Sequence, residues 1–571
     1  MPDTPSTSSA DKEMGGLLAA AIRVVSGFTL LSRFFGLARD ILTAHLFGNS
    51  LIGSAFANAF AIPNIFRRLF GEGALSAAFI PEYVKARKSD PAVADRFAQH
   101  VVSLLFLVSG LITLVVEVIL LVLLFSGAGQ DPERRLSFQL LIVMLPMMPL
   151  VCLTAILGGM LQVQGKFGPP AAAPIILNLF QILAGGYFLM IHKQHDRPAA
   201  AYAVGAAALL ASVVQVVWCM GALSKRPSLL PTRLTTGADD PVTPHTRVMF
   251  ARFVPALIGL GTIQINTMLD QLWAMWPIWI GPTMLGHEYP LDETSNSILS
   301  YAMRLYQFPL GVFGIAVATA ILPLLSRSAD NNTDFESVLK RGLRLSLFIG
   351  LPASIGLVLI REPIITVLFS GSSGGFDADG LTRAAAVLTG FAPGVWAYSL
   401  NHVLTRAFYA KGDTTTPMKI SMLMVALNLV LNLILIWPLR EAGLAWATGL
   451  SAMIQTFVLA IYVRRKLGVT PIDSATLRGM GMVVVATLMM ALCVYGTIVF
   501  TPRVLTSLQL TFIDPATHTW RSNLVYLIVA TFTGMASFAA ASVVLRLPEF
   551  RWLLQRAPKG ADGRPVEMTF E

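Results

Sequence analysis

Arg33, Arg39, Arg67 and Arg304 each fall inside a long apolar run. A guanidinium at bilayer depth costs at least ~2.5 kcal/mol on insertion scales. Side chains kept at that cost line a hydrated cavity and hold something negative. Arginine suits the task, because it stays charged and its forked donors grip phosphate oxygens two at a time. The expected chemistry is electrostatic capture of an anionic, phosphate-bearing amphiphile. No phosphate loop, metal-protease motif or external loop with catalytic carboxylates is present in the sequence, so an enzyme is not expected.

Helical periodicity arranges these residues. In Leu31-Ser32-Arg33-Phe34-Phe35-Gly36-Leu37-Ala38-Arg39-Asp40, the residues Arg33, Gly36 and Asp40 share one stripe, with Arg39 on its flank. Ser32, Gly36 and Asp40 recur at i+4, opposite Phe34, Leu37 and Ile41, which predicts a cavity-facing strip on a lipid-facing helix. An alternative stays open, in which Arg39 and Asp40 pair with each other near the outer membrane face; Arg33 is then still too deep to reach water. The next run carries Pro63-Asn64-Ile65-Phe66-Arg67-Arg68-Leu69-Phe70-Gly71-Glu72-Gly73, and its proline and glycines predict a bent helix. Arg67 lies about 24 Å from the outer end of that run at 1.5 Å per residue. Arg68 and Glu72 stand at i, i+4 and can pair, leaving Arg67 as the cavity candidate. Arg304 has two readings: a cavity residue, or one that snorkels to the interface beside Tyr301 and Tyr306.

A second polar group comprises Asp270, Asn428, Asn432, Thr448 and the backbone carbonyl of Leu444, all in apolar runs. Carboxylate, amide carbonyls, hydroxyl and carbonyl make an oxygen cage suited to a hard cation. They also make interhelical hydrogen bonds with Asp270 protonated.

The elements that position these residues follow from composition. Of 571 residues, 13% are charged, where a soluble protein carries about 25%. The chain therefore reads as an all-α polytopic membrane protein. Fourteen apolar runs reach spanning length, from 17–47 through 51–80, 136–163, 296–325, 342–370 and 382–410 to 523–545. The net charge of +10 gathers in alternate short loops rather than in a nucleic-acid-binding patch, which places both termini in the cytoplasm. Cys152, Cys219 and Cys493 lie in apolar segments with neither disulfide nor metal spacing.

An internal repeat divides the chain. Ala61-Ile62-Pro63 through Phe79-Ile80-Pro81 is echoed by Gln307-Phe308-Pro309 through Ile321-Leu322-Pro323. Gln164-Gly165-Lys166 before Pro169 is echoed by Ala410-Lys411-Gly412 before Pro417, and asparagines follow at Asn178 and Asn428. We read two six-helix lobes, 17–223 and 249–463, related by a pseudo-two-fold along the membrane normal. Residues 1–16 form a disordered cytoplasmic tail, 224–248 a cytoplasmic linker, 464–545 two appended spans and 546–571 a cytoplasmic C-terminal tail.

The phrases Ser32-Arg33-x-x-Gly36-x-x-Arg39-Asp40, Pro63-Asn64-x-x-Arg67-Arg68 with Glu72-Gly73, Arg304-x-x-x-Phe308-Pro309 and Arg406-Ala407-Phe408-Tyr409-Ala410 resemble those of the MurJ (MviN) lipid II flippases. The resemblance runs from about residue 20 to 545. It implies the multidrug/oligosaccharidyl-lipid/polysaccharide exporter fold and export of the undecaprenyl-pyrophosphate-linked peptidoglycan precursor, lipid II, across the bacterial inner membrane. It implies a monomeric transporter among membrane lipids, alongside the cell-wall synthesis machinery, with no organic cofactor. By motif match Arg33, Arg39, Arg67 and Arg304, with Ser32 and Asn64, belong to the substrate cavity, and Asp40 and Glu72 to a gate. The same resemblance makes Asp270, Asn428, Asn432, Leu444 and Thr448 a site for a sodium coupling ion, although Asn432 stands where that site is acidic. Ser54, Met303 and Gln307 also depart from acidic residues of relatives, which makes this cavity more positive. Two other transporters are the rivals: a flippase for another undecaprenyl-linked glycan, and a drug exporter on the same fold, against which the four arginines argue.

Overall fold

The computed structural model describes residues 9–71, 74–191, 196–229, 240–371, 375–507 and 519–554. The chain is helical almost throughout: α1 (Ser9–Phe47), α2 (Leu51–Gly71), α3 (Ala74–Ser89), α4 (Pro91–Phe125), α5 (Pro132–Met144), α6 (Met147–Val163), α7 (Gly168–Ile191), α8 (Arg197–Ala222) and α9 (Thr243–Trp279). A small hairpin, β1 (Thr283–Met284) and β2 (His287–Glu288), precedes α10 (Ser295–Pro309) and α11 (Ile315–Arg327). Then come α12 (Asn332–Leu359), α13 (Arg361–Phe369), α14 (Ala378–Phe391), α15 (Val395–Ala410), α16 (Thr415–Leu439), α17 (Glu441–Leu467), α18 (Ser474–Ser507), α19 (Thr519–Val544) and α20 (Pro548–Leu554). Among the described residues, ten helical stretches are long and apolar enough to cross a membrane.

Local chemistry sets the helix ends. Asp90, Asp131 and Asp196 cap α4, α5 and α8 by accepting backbone N–H bonds, each with proline in the first helical positions. Each such cap is worth ~1 kcal/mol, and proline loses no hydrogen bond there. Several expected spans are subdivided. Residues 51–80 contain the end of α2 and the start of α3. Residues 136–163 bend at Leu145-Pro146, because Pro146 cannot donate to the preceding turn. Residues 296–325 remain continuous but relax into a π-helical turn, Leu310–Gly314, directly after Pro309. The 342–370 span ends earlier, at Leu359, and resumes as α13. Two expected tails carry helix as well: α1 begins at Ser9, and α20 lies within 546–571.

The residues group into two compact units. The first comprises Met1–Arg304, Leu368–Val387 and Ser421–Ala447. Its core gathers Phe47, Phe56, Phe60, Phe138, Met144 and Met147 against α8, whose buried Ala201, Val204, Ala208 and Ala211 recur at helical spacing. Small residues on that face let α7 and α8 pack closely, the usual solution where lipid removes any hydrophobic drive between helices. A second cluster stacks Phe79 on Tyr83 and on Phe97, joining α3 to α4. Outward from these cores, α4 exposes Leu111, Leu114, Val118, Val122 and Phe125, as a lipid-facing helix should.

The second unit comprises Leu305–Val367, Leu388–Ile420 and Thr448–Glu571. There α12 packs on α15 and α18, and α18 on α19. A Cβ at Gly449 would stand 2.8 Å from the Gly390 carbonyl oxygen, so glycine is required for that close approach. Arg344 of α12 donates to the fully buried Glu549 of α20 at 2.5 Å, and both Arg341 and Arg344 lie over the Trp552 ring.

Candidate functional site

Arg33, Arg39, Arg67 and Arg304 all belong to the first unit, on α1, α2 and α10. Arg39 is buried, and each of its three guanidinium nitrogens has a partner. Its Nε and Nη2 donate to Asp40 Oδ1 at 3.1 and 2.6 Å, and its Nη1 donates to Asn178 Oδ1 of α7 at 2.9 Å. The Phe60 ring of α2 lies 4.8 Å below its guanidinium carbon. Asp40 is shared, since Arg304 Nε of α10 stands 3.6 Å from its other oxygen, Oδ2. Arg39, Asp40, Asn178 and Arg304 thus form one cluster, and the Arg39–Asp40 pair is real. Neighbouring residues place it: Thr43 Oγ1 donates to the Arg39 carbonyl one turn on, and the Asn178 amide donates to the Ser32 carbonyl at 3.2 Å.

The small stripe of α1 meets α7 at one point, where a Cβ on Gly36 would be 3.5 Å from the Asn178 nitrogen, while the hydroxyl of the half-buried Ser32 is exposed. The Ser32 hydroxyl bonds back to the Thr29 carbonyl. Arg33 is half-buried, and no ion pair or side-chain hydrogen bond is found for it among the described residues. On α2, Arg67 Nε donates to Asn64 Oδ1 at 2.9 Å, one turn earlier. Glu72 lies outside the described residues. Arg304 keeps 24% of its side chain exposed. Its tyrosine neighbours do not form an interfacial belt: Tyr301 is buried against Phe369 and Phe376, and Tyr306 is buried too.

Close to this cluster the end of α1 and the start of α2 are tied to other segments. Ser297 Oγ of α10 donates to the Gly48 carbonyl at 2.7 Å, Asn296 Nδ2 to the Ser54 carbonyl, and the Ser297 amide to Ser54 Oγ. Gly53 is needed there, since a Cβ would stand 2.7 Å from Ser297 Oγ. Asn49 exchanges two hydrogen bonds with Asp377, at 2.9 and 3.0 Å. His45 sets both ring nitrogens against carbonyl oxygens, of Ile41 and Ser370.

Asp270, Asn428 and Asn432 do meet. Asn432 Nδ2 donates to Asp270 Oδ1 at 2.8 Å and to Asn428 Oδ1 at 3.0 Å, all three side chains being buried. Leu444 is buried in the same unit, while Thr448 belongs to the second, where its carbonyl accepts from the Tyr398 hydroxyl. As it stands this donor set does not fit sodium. An amide N–H points at the two oxygens that would ligate, the Asn432 oxygen is turned away without a partner, and a single carboxylate is present.

Two other groups had no warning in sequence pattern. Arg383 of α14 joins Glu441 at 2.6 Å and Asp292 at 2.9 Å, and Arg440 also reaches Asp292. Arg440 holds a left-handed φ of 53°, which its bonds to Pro290 and Asp292 help to pay for. Glu82 of α3 is buried beside Arg252 at 3.0 Å and His245 at 3.3 Å. Asn178 had one available signal: the asparagine that recurs after each proline of the repeat.

Long apolar helices with small helix-packing faces, and arginines in their interiors sharing one carboxylate, define a polytopic transporter for an anionic cargo. A solved multidrug-resistance transporter of the multidrug/oligosaccharidyl-lipid/polysaccharide (MOP) superfamily, in its inward-facing conformation, matches 76% of this chain and 94% of its own, with a TM-score of 0.61 and 14% identity. The chain belongs to the lipid II flippase MurJ family, whose profile matches residues 43–513. The probable lipid II flippase MurJ of Rhizobium tropici is 33% identical over 77% of this chain and 80% of its own length. A solved lipid II flippase MurJ in an inward closed conformation covers 93% of this chain and 99% of its own, with a TM-score of 0.71 and 22% identity.

Proposed function

We propose that this chain carries lipid II, the undecaprenyl-pyrophosphate-linked peptidoglycan precursor, from the cytoplasmic to the outer face of a bacterial inner membrane by alternating access. Family membership supports the cargo. The observation that carries the mechanism is the sharing of Asp40 by two guanidinium groups. Two positive charges on one carboxylate leave a net positive site, and Arg304, reaching Asp40 at 3.6 Å through Nε, keeps other N–H donors for phosphate oxygens. Arg33 and Arg67 add charge on the neighbouring turns of α1 and α2. The pyrophosphate replaces Asp40 at Arg304, while the isoprenoid tail stays in the bilayer. Ties such as Ser297 to Gly48 and Asn49 to Asp377 close the outer end until the head group is loaded.

The protein works as a monomer with both termini in the cytoplasm, and the membrane potential acts on its cationic site at about 2.3 kcal/mol per charge per 100 mV. No step runs through a metal ion, given the Asn432 arrangement. The test is lipid II export in cells depleted of their own flippase. The native chain restores export and growth, while Arg33→Ala with Arg67→Ala lowers export at least tenfold at equal protein level. Wild-type export by the double variant overturns the mechanism. Restored glycan export without lipid II export overturns the cargo.

A further inference from the structure

Asn178 stands where no transported group needs it, yet it uses both ends of its amide on α1. It is buried in α7, 139 residues along the chain from Arg39. Its oxygen takes the Arg39 Nη1 proton at 2.9 Å, and its nitrogen is fastened to the Ser32 carbonyl at 3.2 Å. The second bond leaves the acceptor little freedom to turn. Arg39 therefore spends Nε and Nη2 on Asp40 Oδ1 and Nη1 on Asn178, which leaves Asp40 Oδ2 to Arg304.

We propose that Asn178 is a positioning residue of the transporter: by holding Arg39 Nη1, it reserves one oxygen of Asp40 for Arg304. The physical reason is donor counting. Removal of the Asn178 oxygen leaves a buried, charged N–H without an acceptor, which is costly enough to drive the guanidinium round to face Asp40 squarely. A two-pronged Arg39–Asp40 pair turns both carboxylate oxygens toward Arg39 and draws Oδ2 away from Arg304. The first repeat thus places an asparagine of its fifth span on the charged residue of its first, Asn178 on Arg39. In the second repeat Asn432 of α16 likewise holds Asp270 of α9. This inference rests on the reading that the Asp40–Arg304 tie belongs to the outer closure.

The experiment uses the full-length chain in membranes with Cys152, Cys219 and Cys493 replaced by serine. Asn49→Cys and Asp377→Cys, whose side chains touch at the end of α1, report closure through their rate of oxidant-driven disulfide formation. Asp40→Asn is expected to slow that rate at least threefold; if it does not, the closure reading fails and the inference falls with it. With Asp40→Asn effective, Asn178→Leu is expected to slow the rate by a similar factor, and Asn178→Asp, which retains an acceptor oxygen, to stay within twofold of the parent. In an Arg39→Met background, where no guanidinium remains to be positioned, Asn178→Leu is expected to have no further effect. A general packing role would persist in that background. An undiminished effect of Asn178→Leu there, no effect in the parent, or equal loss from Asn178→Asp each overturns the assignment.

Discussion

Single residues decide which charges are available. A buried amide oxygen on Asn178 and a single carboxylate on Asp40 are the partners of Arg39, and Arg304 stands beside the second oxygen of Asp40. Asn432 plays the corresponding part for Asp270, to which it supplies a donor at 2.8 Å. Replacing it by leucine leaves a buried carboxylate oxygen with one donor fewer, at a cost of ~1–3 kcal/mol. Asn432→Leu should therefore melt several degrees below the parent in detergent, in sodium and in potassium buffers alike; a loss confined to sodium would mean that a cation holds this site. The arginines were legible in the sequence, because a guanidinium inside an apolar run contradicts its surroundings. Their partners were not. Asn178 is one amide among apolar residues, and nothing local points to a guanidinium on another helix. The small stripe on α1 shows the same limit: small residues mark close approach equally of water and of another helix, and Asn178 stands over Gly36 while the Ser32 hydroxyl is exposed.

At the scale of elements, proline accompanies the interruption at Leu145-Pro146, the irregular turn after Pro309 and the break after Leu359, which Pro363 follows by four residues, but the lengths of the apolar runs gave no sign of these three. Charge pairing between distant loops was equally silent, and the Arg383 clasp is the main instance. It joins α14, the loop before α10 and the turn between α16 and α17. Partial burial works to raise the Asp292 carboxyl, but hydrogen bonds from Arg383 and Thr294 outweigh it and hold that group well below the ordinary carboxylate range. A carboxyl so depressed contributes stability that is complete above its unfolded value near 4 and is lost as pH falls toward the folded one. The melting temperature should hence be level from pH 7 to about 5 and decline below about 4. Arg383→Gln should lower it at pH 7 and flatten the acid decline; an unchanged decline would place the acid sensitivity elsewhere.

For the whole molecule, composition already required a many-helix membrane protein, and family membership agrees. The distribution of basic loops argues for both chain ends in the cytoplasm. A fluorescent protein fused after Glu571, which matures only inside the cell, should fluoresce, while an exported phosphatase at the same place should be inactive. The reverse pattern would invert the orientation and the direction of transport with it. What sequence reasoning did not show at this scale is that the units are built from interleaved chain segments, with Leu368–Val387 and Ser421–Ala447 belonging to the first.

The divided loyalty of Asp40 has a consequence for how cargo and closure communicate. In the proposed mechanism a diphosphate reaching Arg304 does not merely add an attraction; it competes with the α1 carboxylate that stands 3.6 Å from Arg304 on α10. Loading and unlatching are then one exchange of anions, and an empty protein has no reason to open outward.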